Sequence, residues 1–269
     1  MSGPLTRAPG QAGAISWLGA FYVAFVLYML VPLTMVVLMS FKDHRFMGFP
    51  IERWTTKWYA DAIADHAFLS ALTYSIWIAA VSTAIALVIG LWSAVILSRP
   101  RLPLRALLFA LVAMPIVVPG IVNAISLRIF FESTGIDTGP VAIIIAHAAH
   151  SVPFIALMAM TRLSSMPPNL TESARDLGAD PFVAFTRITL PYLRPALIGG
   201  AIFAMLSSFD DFIRSFFLAS FSPTLPILIF ARLQQGLSPA LAAISTMVLI
   251  VTVAIGILAE RFVRTRRVR

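Results

Sequence analysis

Six long stretches, apolar and poor in charge, recur along the 269 residues and constrain the fold more than any other feature of the chain. They cover approximately 17–40, 69–97, 104–131, 140–160, 192–212 and 239–260. The first, at about 1.5 Å per residue, reaches roughly 36 Å as a helix, enough to cross a hydrocarbon core at a tilt. A soluble domain carries roughly 25% charged residues, whereas this chain has 12%, with 59% hydrophobic. In lipid every backbone amide must be satisfied within its own segment, which leaves helices or closed barrels. None of the six blocks alternates as a barrel strand does. The expectation is an all-α, polytopic membrane protein with six transmembrane helices. The organisation read from the sequence is an N-terminal tail over 1–16, a six-helix domain over 17–260 and a basic tail over 261–269. The first block is too long for a signal-peptide core and no small-residue cleavage site follows it, so it reads as a retained helix, with a cleaved signal peptide as the alternative.

Orientation follows from the basic residues, only two of which are lysines. Arg7 precedes the first block. Arg99, Arg101 and Arg105 separate the second from the third. Arg162, Arg175, Arg187 and Arg194 separate the fourth from the fifth, and Arg261, Arg264, Arg266, Arg267 and Arg269 follow the last. All fall on one side, which the positive-inside rule makes cytoplasmic, with both termini. On the other side Lys42, Arg45, Arg53 and Lys57 are offset by Asp43, Glu52, Asp61 and Asp65. The formal charge of +8 therefore reads as topology, not as nucleic-acid binding. Trp17, Trp54, Trp58 and Tyr59 read as interfacial anchors.

There are no cysteines, which excludes disulfides, thiolate metal sites and a cysteine nucleophile. A phosphate-binding loop needs Gly-Lys-Ser/Thr, but Lys42 follows Phe41 and Lys57 follows Thr56. No G-x-S-x-G, H-E-x-x-H or G-x-G-x-x-G occurs. The expectation is a protein that is not an enzyme and carries no cofactor or metal.

The loop between the fourth and fifth blocks is the most informative segment. Asn169 reads as an N-cap with Glu172 three residues on, a capping box, and a helix is predicted over 170–177. Gly178 suits the left-handed residue that ends it. Asp180-Pro181 restarts a helix, and Pro191 is expected to interrupt it before the fifth span. Such a knob serves equally as a tidy linker or as a docking element.

Spacing decides between them. Glu172, Ala174 and Gly178, then nine residues, then Ile188, Leu190 and Pro191 resemble the E-A-A-x-x-x-G-x9-I-x-L-P loop of bacterial ABC-importer permeases, with Ser173 in place of the second alanine. That resemblance implies a coupling helix in a loop at about 161–191, docked through Glu172, Ser173, Ala174, Gly178, Ile188, Leu190 and Pro191 onto a separate ATPase subunit. It also implies the usual assembly of cytoplasmic ABC ATPases, a second homologous permease and an external or periplasmic substrate-binding protein, in a bacterial inner membrane.

The stretch Ser207-Ser-Phe-Asp-Asp-Phe-Ile-Arg-Ser-Phe-Phe217, with Met114-Pro-Ile-Val-Val-Pro-Gly120 and the Gln235-Gly-Leu-Ser-Pro239 region, is similar to the second permease subunit of spermidine/putrescine-type importers. The resemblance implies a heterodimer and a polyamine or related organic cation as cargo. Asp210 and Asp211 suit a cation path, with Asn123 as a further candidate. The competing reading is an internal salt bridge to Arg214, at helical spacing from both. Arg128, Arg214 and Arg232 depart from a cation path and suit a cargo bearing a carboxylate, such as an opine or amino-acid derivative, or else snorkel outward. Pro115, Pro119 and Gly120 are expected to break or kink the third span. His147 and His150, three apart, fit packing or an interhelical hydrogen bond better than a metal site. The competing classes are an ion-coupled secondary carrier, which needs no such loop, and a membrane enzyme.

Overall fold

The computed structural model describes residues 11–44, 48–99, 101–167 and 169–265, with side chains described for all of these but 11–16, 258–260 and 262–265. Arg7, Arg45, Pro168, Arg266, Arg267 and Arg269, and residues 1–10 of the expected N-terminal tail, lie outside the described residues. Twelve α-helices are described: α1 (Gln11–Met39), α2 (Lys57–Ala64), α3 (His66–Leu97), α4 (Arg105–Val117), α5 (Gly120–Thr134), α6 (Pro140–Ser164), α7 (Asn169–Asp176), α8 (Pro181–Ala184), α9 (Leu190–Phe209), α10 (Phe212–Leu218), α11 (Leu225–Gln234) and α12 (Pro239–Thr265). Among the described residues five apolar helical runs are long enough to cross a membrane, and the bent pair α4–α5 makes a sixth if it is counted as one span.

Internal contacts divide the chain into two compact units, one holding residues up to Ala64 with Gly236–Leu249, the other Asp65–Gln235 with the residues from Ile250 onward. In the first unit, the most apolar stretch of the run Trp17–Met39 contains no buried residue, as suits a helix meant for lipid or a partner. Its loop to α2 is fixed by an antiparallel bridge between Lys42 and Trp54. Trp58 donates its indole N–H to the Lys42 carbonyl at 2.7 Å, and the Ser40 and Tyr59 hydroxyls share a hydrogen bond at 2.6 Å. Lys57 pairs with Asp43, and this hydrogen bond holds the Asp43 carboxyl below the usual carboxylate range against the opposing effect of desolvation.

The second unit is built on α3, α6 and α9. Its buried layers are rich in alanine: Ala86, Ala148, Ala204 and Ile155 in one, Ala94, Ala159 and Leu193 in another. Small residues let helix backbones approach closely where lipid gives no hydrophobic drive to pack. Asp65 caps α3 by accepting from the amides of Ala67 (2.9 Å) and Phe68 (3.3 Å), and its carboxylate also pairs with Arg232 of α11.

One feature of the spans follows the sequence expectation and two differ from it. The third span is two helices meeting at 106°. The break falls at Val118 and Pro119: Val118 is extended (ψ 127°), as the residue before a proline must be, while Pro115 stays inside α4. The fifth helical run does not stop at Pro191. A π-helical turn, Phe185–Thr189, joins α8 to α9 without interruption. A proline at 191 clashes with the carbonyl four residues back in a regular α-helix, and the wider turn relieves that clash; the amide of Leu190 bonds to the Phe185 carbonyl, five residues back. That run then ends at Phe209, three residues earlier than expected, and the apolar residues beyond it form the short helices α10 and α11.

Candidate functional site

Two places in the second unit concentrate polar and chemically distinctive residues. The first is the knob after α6. Asp180 accepts from the amides of Phe182 (2.8 Å) and Val183 (2.9 Å), with Pro181 at the first helical position, as its sequence predicts. Gly178 takes φ +84°, and the amides of Gly178 and Ala179 return to the carbonyls of Arg175 and Ala174, both at 2.9 Å, which closes α7. Glu172, Ser173 and Gly178 are exposed and Ala174 is half-buried. Leu177 and Phe182, 89% and 74% exposed, stand out from this polar knob as large apolar side chains. Ile188, Leu190 and Pro191 are not on that surface: they are half-buried in the π-turn and the start of α9.

Several contacts tie the knob to the spans. Phe185 of the π-turn stacks on Trp92 of α3 at 5.4 Å. The Arg162 guanidinium lies 4.2 Å over the Tyr192 ring, and its Nε donates to the Tyr192 carbonyl at 3.3 Å. The Tyr192 hydroxyl donates to the Ser165 carbonyl at 2.9 Å. Displacement of the turn therefore bears directly on α3 and α6. Trp92, Phe185 and Tyr192 escaped sequence reading, and Arg162 was read only as a charge that sets orientation, because each is an ordinary residue until its neighbour is known.

The second place is a buried polar network where α9 gives way to α10. Asp211 caps α10 by accepting from the Arg214 amide at 3.0 Å, and the Arg214 guanidinium donates back to its carboxylate at 2.5 Å. Both side chains are only 8% exposed. Arg214 also donates to His150 Nδ1 at 3.0 Å and to Asn123 Oδ1 at 3.4 Å. His147 joins the Ser208 hydroxyl at 2.7 Å and the Ser215 hydroxyl at 3.3 Å, with Asp211 3.8 Å away. Ser208 continues to Ser82 of α3 at 3.0 Å. Five helices are thus joined through side chains that would each be costly in lipid alone.

The network brings Asp211, Arg214 and Asn123 together and leaves two other sequence candidates outside. Asp210 is exposed and forms no ion pair or side-chain hydrogen bond among the described residues. The internal salt bridge therefore takes up Asp211 and not Asp210. Arg128 pairs with Glu132 at 2.8 Å and donates to the Phe217 carbonyl at 3.2 Å. The histidines were legible from their spacing as interhelical hydrogen-bond partners. Ser82, Ser208 and Ser215 carried no signal, since serine is tolerated throughout apolar helices. Among the described residues no group of three or more His, Cys, Asp or Glu is arranged to hold a metal ion.

Comparison with known proteins extends this picture. Residues 86–267 match the family model described as binding-protein-dependent transport system inner membrane component. The chain is 30% identical over 249 residues to the spermidine/putrescine transport system permease protein PotC of Escherichia coli, covering 92% of this chain and 94% of that protein. It is also 30% identical to the putrescine transport system permease protein PotI of the same organism, covering 91% and 88%. Among solved structures, a bacterial ABC transporter involved in import of the acidic polysaccharide alginate superposes with a TM-score of 0.76 at 16% identity, covering 96% of this chain and 99% of that one. The MetNI methionine ABC transporter superposes at 0.62 with 22% identity, covering 75% and 98%. These two likenesses speak for the fold. With the family model spanning most of the chain and two relatives aligned nearly end to end, the chain belongs to the family of binding-protein-dependent transport system inner membrane components, as a multi-pass permease of the inner membrane.

Proposed function

We propose that this chain is one of two different permease subunits of an ATP-driven importer whose cargo is a polyamine or a closely related organic cation. Its termini face the cytoplasm, α7 docks an ABC ATPase through Glu172, Ser173, Ala174 and Gly178, and a periplasmic binding protein delivers the cargo from the other side. The polyamines for which its relatives are named, spermidine and putrescine, agree with this cargo.

One observation carries the choice of a cation. Each arginine that pointed toward an anionic cargo already has a carboxylate partner: Arg128 has Glu132, Arg214 has Asp211 and Arg232 has Asp65. The charge left without a partner at the α9–α10 break is the exposed carboxylate of Asp210. A carboxylate there attracts an ammonium group, and paired guanidiniums do not repel it. Asp211, held by Arg214 and by the α10 amide, serves to position the break and does not bind cargo directly. The knob supports ATPase docking in a similar way: Leu177 and Phe182 are exposed beside a helix whose sequence follows the coupling-loop pattern. Movement of a docked ATPase passes through the π-turn to Trp92 and through Tyr192 to the end of α6.

The test is uptake by the complete transporter, with its binding protein and ATPases, of labelled putrescine and spermidine against an amino acid derivative bearing a carboxylate. The diamine is expected to be taken up and the anion not. A hydrogen bond to a charged group is worth about 1.5–3 kcal/mol, so Asp210→Asn is expected to raise KM about tenfold or more while Asp210→Glu keeps most of the affinity. Uptake of the anionic compound, or an unchanged KM in Asp210→Asn, overturns the cation assignment.

A further inference from the structure

A cavity of about 360 Å³ opens where the end of α3, the start of α4 and the end of α6 meet, lined among others by Ser98, Arg105, Leu157, Met160, Thr161 and Ser164. We propose that it holds the headgroup of an anionic phospholipid of the phosphatidylglycerol kind. The placement comes first. These helix ends lie at the boundary of two apolar runs, Leu97 closing one and Ser164 the other, so the cavity sits at headgroup level. That placement depends on the span assignment alone, not on the cargo or on which side is cytoplasmic.

The chemistry of the lining then selects the ligand. Arg105 is exposed and has no carboxylate partner among the described residues, and Arg99 and Arg101, also exposed, lie in the adjoining turn. A free guanidinium presents paired donors that match a phosphodiester. The Thr161 and Ser164 hydroxyls spend their protons on carbonyls of their own helix, Leu157 at 2.9 Å and Thr161 at 2.8 Å. Their oxygens are left to accept, which suits the hydroxyls of a glycerol headgroup. Leu157 and Met160 offer an apolar wall to the first acyl carbons. A choline or ethanolamine headgroup would instead set its cation beside Arg105. Basic pockets between transmembrane helices at headgroup level are suited to anionic lipids on these grounds.

The experiment uses the assembled transporter, purified in detergent and titrated with phosphatidylglycerol or with phosphatidylcholine of the same acyl chains, bound lipid being counted by native mass spectrometry. The parent is expected to favour phosphatidylglycerol. Arg105→Gln should weaken that binding about fivefold, the effect of one basic residue at a membrane surface, and leave phosphatidylcholine unchanged. Arg105→Lys should keep most of the preference. Met160→Trp, which fills the cavity without touching a charge, should reduce phosphatidylglycerol binding while the complex stays assembled. Equal binding of the two lipids by the parent, unaltered binding in Arg105→Gln or Met160→Trp, or displacement by millimolar inorganic phosphate would each overturn the proposal. Loss of polyamine uptake or of ATPase docking does not enter this measurement, so the two readings fail separately.

Discussion

Ile155 of α6, with no exposed surface, is wedged between two glycines, and replacing them tests how the helices at the heart of the second unit are held. A Cβ built on Gly90 of α3 would lie 2.7 Å from Ile155 Cγ2, 2.8 Å from Ile155 Cβ and 3.1 Å from the Val152 carbonyl oxygen. Carbon atoms rest at about 3.5–4.0 Å, so the shortfall is roughly 1 Å. Ile155 Cβ and the Val152 carbonyl are fixed to the α6 backbone, so no rotamer change relieves the clash and α3 and α6 must separate. Overpacking of this kind costs about 1–3 kcal/mol, and the better helix propensity of alanine returns at most about 1 kcal/mol. Gly90→Ala is therefore expected to lower stability by roughly 1–2 kcal/mol. At Gly200 of α9 the nearest atom is Ile155 Cγ1 at 3.1 Å, followed by atoms at 3.6 Å, so Gly200→Ala should cost clearly less. Adding Ile155→Ala to Gly90→Ala removes the Cγ2 clash but leaves Cβ, and only part of the loss should be shared by the two changes. The assay is unfolding of the purified protein in mixed detergent micelles, with thermal loss of the monodisperse peak as a second readout. A Gly90→Ala protein as stable as the parent, or one more stable than Gly200→Ala, would show that α3 and α6 are not in close register at this level and would refute the reasoning.

Asp211→Asn removes the partner of a guanidinium that is only 8% exposed and should destabilise by about 3–5 kcal/mol, with Asp211→Asn/Arg214→Gln recovering part of it in the same unfolding assay. Burial works against the Asp65 carboxylate, but Arg232 and the amides of Phe68 and Ala67 outweigh it and hold its pKa below the ordinary 3.8. Its contribution is thus fully present above about pH 4 and is lost as pH falls through the lowered value. An unfolding profile against pH should lose that acid-limb component in Asp65→Asn, which still caps α3, whereas Asp65→Ala should cost about 1 kcal/mol more at neutral pH. Gly178→Val forces a β-branched residue to φ +84°, at a local cost of about 1–3 kcal/mol. The permease should still insert, but uptake and cargo-stimulated ATP hydrolysis should fall; normal uptake would contradict the coupling role of the α7 turn.

Where the sequence was legible, the governing interactions were short in range. The cap at Asp180, the left-handed Gly178 and the break at Pro119 and Gly120 each follow from a few neighbouring residues. Misreading came where a local rule met a non-local alternative. Pro191 ends a regular α-helix, yet a π-turn absorbs it and the helix continues into the membrane. Asp210 and Asp211 are neighbours with nearly the same spacing to Arg214, and only packing decides that Asp211 turns inward to pair while Asp210 stays exposed.

The sequence by itself determined the membrane-spanning helical class, the positions of most spans and the pattern of the loop after the fourth, because hydropathy, capping and arginine placement act within a few turns of chain. Only the tertiary structure decided which polar groups meet inside the membrane. Ser82 and Ser208 are 126 residues apart, as Asn123 and Arg214 are 91, and their partnerships depend on how alanine- and glycine-lined helices close on one another. A buried donor takes whichever acceptor the packing brings within about 3 Å, and no residue's own identity fixes that choice.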